Sequence, residues 1–545
     1  MNQNIPAVSA SLPAVRSQLM VPIHLPNSQF VSLSKDLESF LDFVITAKGR
    51  ATFYNSKEEQ EAAELEAHKK MFLYDRLLYG AVLALPGVMD RSRQQGILRL
   101  LSDKHSGGML QTTKKHHAEM ERNLLEYLCD GITVPRQLRT FVMAGQARIN
   151  NMRTRKLILR HLLHTGAVGS LEMRAVRYRR KYGAILRHVW GQKLSGVIRS
   201  ILQRPYQEWE PDETKLIREN VYRYIPGFPS PGIESRLAIA YALGSSVPYV
   251  TENPDAPIIA AVRKARNDLS KGERLPPEVL EGIRGQFHKE VKSGEVLELA
   301  KDQMSSKQRI NVQAQAKREG VEVAFDPLKH DAVKLYIYAY EMGMTAEIRK
   351  ALDKKAEDVA KTLPFHYENV GIIVDASASM YGHKTQKLHP IAVALAVEDV
   401  LRAASNLSTV HYVGGNGQGA LIQPKGDTNL ALSLVGLLEH EPDAVFVITD
   451  GYENAPAGRF GDTLERVRDM GIDTPVIQVS PVTGAESEGI RVLGGVSAAI
   501  PVVSPEALVS SALKLFINTD IKKAITMILT STIKEHRLGD LGWFE

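Results

Sequence analysis

The chain has 545 residues, 44% of them hydrophobic, a net charge of +6 and a single cysteine. That is apolar material for roughly two to four domains with cores of their own, and Cys129 alone excludes an intrachain disulfide. No charged segment followed by a long apolar run opens the sequence, and no stretch approaches the roughly 18 uninterrupted apolar residues of a membrane span, so a soluble cytoplasmic protein is expected.

The charge is unevenly placed. Residues 361–545 hold 14 Lys+Arg against 21 Asp+Glu, whereas residues 1–360 hold 54 against 41. Within the latter, residues 131–204 carry 16 basic side chains and one acid, Glu172. A basic block of that size inside a folded region points to a polyanionic partner.

In chain order, residues 1–32 read as an extended segment, with Pro and Ser and little periodicity. From residue 33 the pattern turns helical: Leu37, Phe40, Leu41 and Val44 recur at spacings of three and four. The stretch "NSKEEQEAAELEAHKKMFLYDRLLYGAVLAL" predicts one long helix. Ser56 and Glu59 form a capping box at its start, and Pro86-Gly87 stop it. Further helices follow to about residue 355, separated by Gly- and Pro-containing breakers, which suggests an irregular helical solenoid.

In the basic block, "MRTRKLILRHLLH" places Arg153, Lys156, Arg160 and His164 on roughly one helix face. In "RAVRYRRKYGAILRHVWG", Ala175, Tyr178, Tyr182, Ile185 and Val189 make an apolar stripe, with Arg177, Arg180, Lys181 and Arg187 mostly off it. Lys193, Arg199 and Arg204 extend the charge. Like charges this dense repel one another, and phosphates would relieve them. Trp190 and the tyrosines could stack on unpaired bases, although Tyr178 and Tyr182 fit core positions better. The competing reading is a solvated face, or acids folded in from 207–220 and 276–299.

After "KTLPFHYE" (361–368) short apolar runs alternate with helical stretches, the pattern of a parallel sheet covered on both faces. "IIVDASASM" ends its first strand in Asp375, with Ser377 and Ser379 at alternate positions beyond it. Thr428 in "GDTNL" precedes a helix, and Asp450 ends another apolar strand, "VFVITD". Hard oxygen ligands at the carboxyl ends of parallel strands suit Mg2+, or Mn2+. The bland alternative is that these groups merely cap a loop and a helix. "GGNGQG" (414–419) lacks the Lys-Ser/Thr of a phosphate loop and reads as a flexible turn. No nucleophile–base pattern appears, which points away from an enzyme.

The Asp-x-Ser-x-Ser set resembles the metal-ion-dependent adhesion site of von Willebrand factor A domains. That resemblance implies one divalent ion held by Asp375, Ser377, Ser379, Thr428 and Asp450, with a position open to a partner's carboxylate or another anion. Taken as a whole, the order of segments resembles the Ro (TROVE) family of RNA-binding proteins. "LESFLDFVITAKGRATFYNSKEEQEAA", "RAVRYRRKYG", "FDPLKHDAVKLYIYAYEMG" and "VDASASM" carry the likeness. "GAILRHVWGQK" stands where that family has a Gly-Trp-Ser-His-Arg-Asp run, and Asp427 where it has a second Gly.

The resemblance implies a HEAT-like helical-repeat RNA-binding module over 33–362, forming a monomeric ring, and a doubly wound, Rossmann-like von Willebrand A domain over 363–545. It also implies a non-enzymatic scaffold for small non-coding, Y-like RNA and for single-stranded ends of misfolded RNA, linked to an exoribonuclease. The RNA-binding candidates are Arg153, Lys156, Arg160, Arg177, Arg180, Lys181 and Arg187. A rival from another class is a cytosolic adaptor for a MoxR-type AAA ATPase, which also places an A domain after helices.

Overall fold

The computed structural model describes residues 27–46, 56–102, 114–164, 170–225, 233–245, 256–363, 365–382, 386–417, 421–454, 456–481, 490–517 and 520–535. Residues 1–26 of the expected extended segment and the "GRATFY" stretch (49–54) lie outside these. The chain is mostly helical, with one five-stranded parallel sheet. It divides into two compact units: residues up to Gly96, Lys104–Gly131 and Pro327 onward in one, Ile97–Asp103 and Ile132–Asp326 in the other. The helices Asn27–Thr46 to Lys114–Asp130 and those from Ala332 onward therefore group largely with the sheet, whereas those from Val134 to Glu319 form the second unit.

In the first unit a helix starts at Asn27, inside the segment expected to be extended, and runs to Thr46. Its expected apolar positions, Leu37, Phe40, Leu41 and Val44, are all buried. The Ser56–Glu59 capping box forms as expected: Glu59 N–H donates to Ser56 Oγ (3.2 Å) and Ser56 N–H to Glu59 Oε2 (2.7 Å). The long helix predicted beyond it is two helices, Lys57–Tyr74 and Arg76–Ala84. Asp75 breaks it by adopting an extended backbone and accepting from Leu77 N (2.8 Å) and Leu78 N (2.9 Å), which starts a new helix. The helix Arg76–Ala84 is buried throughout, and Arg76 meets Glu121 of the helix Lys114–Asp130 through two hydrogen bonds, 2.7 and 3.0 Å.

The sheet comprises β1 (Tyr367–Asp375), β2 (Ser405–Val413), β3 (Ala444–Ile448), β4 (Val476–Pro481) and β5 (Ala498–Val502) in the order β2-β1-β3-β4-β5. Val370 to Asp375 are all buried, as a strand covered on both faces requires. Ile373, Val445 and Val447 pack with Leu430, Leu434, Leu437, Phe460 and Leu464 from the helices Leu430–Leu438 and Arg459–Asp469. The helix His389–Ala403 packs against β1, β2 and β4. Because β1 lies between β2 and β3, the order reverses there, and the carboxyl ends of β1 and β3 frame the crevice where such sheets bind ligands.

The same unit joins distant parts of the sequence. The helix Asn27–Thr46 packs on the helix Ala507–Ile517, where Lys514 Nζ lies 2.7 Å from Asp42 Oδ2. Gly87 sits so close to that helix that an added Cβ would lie 2.4 Å from the Ala507 Cα.

The second unit is helical. The basic stretch predicted as one helix is two, Ser170–Arg177 and Arg179–Trp190, broken at Tyr178. Helices Ser170–Arg177 and Gln192–Gln203 both pack on Ile233–Ala242, and Val134–Gln146 packs on Arg179–Trp190. No helix among the described residues is long and apolar enough to cross a membrane.

Candidate metal centre and basic surface

Asp375 ends β1 with its side chain fully buried. Both its oxygens accept from neutral donors: Oδ2 from Thr449 Oγ1 (2.6 Å), Oδ1 from Ser377 N–H (2.9 Å). Burial pushes its carboxyl up to about 6, and the Asp450 charge adds to that, against the pull of those hydrogen bonds. Ser377 Oγ and Ser379 Oγ lie 3.1 Å apart, so the loop turns both hydroxyls together.

Thr428 is buried, and its N–H donates to Asn454 Oδ1 (2.9 Å). Its loop is fastened to the Ser377 loop by Lys425 N–H to Ala376 O (2.9 Å) and Ala378 N–H to Gly426 O (3.1 Å). Asp450 follows β3 and accepts from Tyr452 N–H (3.1 Å). Three of the five expected ligands thus come from one loop, and backbone bonds hold the loop of the fourth against it.

The donor set fits a hard divalent cation. A buried carboxylate with only neutral partners, a second carboxylate near it and converging hydroxyls lack a positive charge. Among the described residues no group of three or more His, Cys, Asp or Glu side chains that could hold a metal ion forms.

The glycine-rich stretch is more than a turn. Gly414 and Gly415 both have positive φ, and a Cβ on Gly414 would lie 3.1 Å from the Cα and N of Ser377. These glycines let the loop after β2 press on the loop that carries Ser377. Sequence reasoning also missed Thr449 and Asn454; the clue was that Thr449 directly precedes Asp450 at the end of an apolar strand.

In the second unit the one acid of the basic block, Glu172, is buried. Its Oε1 accepts from Ile259 N–H (2.7 Å) in the first turn of the helix Pro257–Asn267. Its carboxylate is thus turned into the interior, on the start of that helix.

The seven candidate side chains divide into two groups. Lys156, Arg160, Arg180 and Lys181 are exposed, and Lys156, Arg180 and Lys181 have no partner among the described residues. The other three are half-buried and engaged within the chain. Arg153 donates to Leu100 O, Arg187 to Leu243 O (3.4 Å), and Arg177 to Glu278 and to Gln308 Oε1 (3.0 Å). Arg204 pairs with Glu213 in the same way. Acids from the two expected regions thus reach Arg177 and Arg204. Arg139, Arg148, Lys193 and Arg199 add further exposed cations.

The aromatic candidates are internal. Tyr182 is buried with its hydroxyl on Leu162 O, and burial pushes its phenol far above the usual range, against the pull of Arg174. Trp190 is half-buried, and its indole N–H is enclosed without a partner among the described residues.

No family model matches the chain, and no curated protein does. Among solved structures it is similar to the Ro (RSR) protein of Deinococcus radiodurans, at 12% identity and a TM-score of 0.37, over 88% of this chain and 99% of that one.

Proposed function

We propose that the protein is a non-enzymatic RNA-binding scaffold of the Ro kind, acting in RNA quality control or processing. The observation that carries this reading is the basic block: 16 cations and a single acid, that acid buried. RNA phosphates are the partner whose charge density matches it, and each phosphate neutralised releases counterions. Lys156, Arg160, Arg180 and Lys181 make the primary contacts; Arg153, Arg177 and Arg187 contribute where their own hydrogen bonds leave donors over. Following the sequence resemblance, the RNAs are small structured Y-like species and single-stranded ends of misfolded RNA, and an exoribonuclease is the expected protein partner.

Asp375, Ser377, Ser379, Thr428 and Asp450 would hold a divalent ion, Mg2+ before Mn2+. Bound there, the ion supplies an electrophilic docking point for an anion. The residues themselves orient it: Thr449 fixes one oxygen of Asp375, the Ser377 N–H fixes the other, and the Gly414 backbone holds the loop in place. Docking of an anion rather than hydrolysis is the role assigned to the site.

The test is purification of the full chain at low salt, with the ultraviolet spectrum read for nucleic acid and any retained RNA sequenced. Small structured RNA in the sample supports the reading. A clean protein spectrum, with no binding of added structured RNA, contradicts it.

A further inference from the structure

The rim of the Asp375 site carries groups that an ion alone does not need. Tyr381 and Tyr452 lie two residues beyond Ser379 and Asp450, and are 42% and 48% exposed. The Arg491 guanidinium is stacked on the Tyr452 ring, its carbon 3.7 Å from the centroid. That pair is anchored through the backbone. Tyr452 N–H donates to Asp450 Oδ1 (3.1 Å), and Gln478 Nε2 donates to Arg491 O (2.8 Å). Gly451, between Asp450 and Tyr452, has φ +81° and lies so near Arg491 that an added Cβ would be 2.2 Å from its carbonyl oxygen. Arg491 is therefore fixed beside the loop that carries Asp450.

Among the described residues the flanking loops also carry Lys387, Lys425 and Asp427, all exposed, and Glu453, whose oxygens accept from Phe460 N–H (2.9 and 3.1 Å). Arg491 adds a cation stacked on an exposed aromatic ring.

A carboxylate partner would use the ion and the positive charge, and would leave the stacked surface idle. A nucleotide uses all three: its phosphate the ion, its charge the guanidinium, its base the flat Tyr–Arg surface. We infer that the anion completing this site is the phosphate of a nucleotide, whether free or at an RNA terminus, with its base held on the Tyr452–Arg491 pair. This rests on the divalent-ion reading above.

The experiment is calorimetric titration of the full chain, first with Mg2+ alone, then in Mg2+ with adenosine monophosphate, inorganic phosphate, an acidic hexapeptide and a short oligoadenylate ending in a phosphate. Stacking on one base is worth about 1–3 kcal/mol, so adenosine monophosphate should bind roughly five- to 150-fold tighter than phosphate, and only with Mg2+ present. Tyr452→Ala and Arg491→Ala should bring it to the phosphate level, whereas Tyr452→Phe, which keeps the ring, should not. Measured on the Arg180→Glu/Lys181→Glu background, tighter Mg2+-dependent binding of the oligoadenylate than of the mononucleotide, lost in Tyr452→Ala, identifies an RNA end as the source, and equal binding a free nucleotide. Equal affinity for adenosine monophosphate and phosphate, tighter binding of the hexapeptide, or unchanged binding by both alanine variants overturns the inference while Mg2+ binding stands. Absence of Mg2+ binding overturns the ion reading and this inference together.

Discussion

The Thr449 hydroxyl donates to Asp375 Oδ2 at 2.6 Å, at the point where β1 and β3 end side by side. The bond places a neutral donor where the sheet's switch point concentrates ligand groups. It leaves the charge of a buried carboxylate uncompensated.

Replacing that charge therefore gives a first prediction. The Asp375 carboxyl is raised to about 6, so at neutral pH the folded state carries a charge that burial opposes. A tenfold change in proton affinity corresponds to about 1.4 kcal/mol. Asp375→Asn keeps the shape and can still accept from one neighbour. In the presence of a chelator it should be more stable than the wild type by about 2 kcal/mol, measured by urea unfolding at neutral pH. Excess Mg2+ should stabilise the wild type and leave the variant unchanged. A destabilised variant, or one that still responds to Mg2+, contradicts the site.

The loop after β2 gives a second. Gly414 has φ +73°, and an added Cβ would be tight against the Ser377 backbone, 3.1 Å from its Cα and N. Gly414→Ala should cost about 1–3 kcal/mol through backbone strain and that tight contact, and should weaken Mg2+ binding at the same time. Gly417 also has a positive φ, +93°, but nothing lies within 4 Å of an added Cβ. Gly417→Ala should carry only the backbone cost and leave Mg2+ affinity unchanged. Comparing unfolding midpoints and Mg2+ titrations of the two variants checks the assignment.

A third prediction separates structural from surface charge in the second unit. Glu172 caps the helix Pro257–Asn267 from inside, and losing such a cap costs roughly 0.5–2 kcal/mol. Glu172→Ala should lower the unfolding midpoint more than Glu172→Gln, whose amide oxygen can still accept from Ile259 N–H, and both should leave the salt dependence of RNA binding as it was, because the side chain is buried. A changed salt slope would show that Glu172 senses the ligand.

Much of the fold was legible in the sequence where local chemistry is decisive. The Ser56–Glu59 box, the strand ending in Asp375 and the core positions Leu37 to Val44 follow from spacing alone, because each depends on neighbours within one turn or one strand. The break at Asp75 was also written locally: an aspartate that can accept from N–H groups two and three residues on competes with helix continuation. What spacing could not reveal was how distant segments meet. Arg177 reads as a free cation until Glu278 and Gln308, about a hundred residues and more away, arrive beside it. Gly414 reads as slack until Ser377 is packed on it. Thr449 was overlooked because its role exists only when β3 lies next to β1.

If the exposed cations of the basic block hold RNA phosphates, the salt dependence of binding must report it. Arg180 and Lys181 are exposed and without partners among the described residues, at the start of the helix Arg179–Trp190; Arg177, tied to Glu278, serves as the comparison. A gel-shift titration across salt should give the Arg180→Glu/Lys181→Glu double variant weaker RNA binding. Its log–log slope should be shallower by about 0.7–0.9 for each phosphate no longer neutralised, with a smaller change for Arg177→Gln. Unchanged affinity and slope in the double variant, with the fold intact by circular dichroism, would contradict RNA binding by this surface.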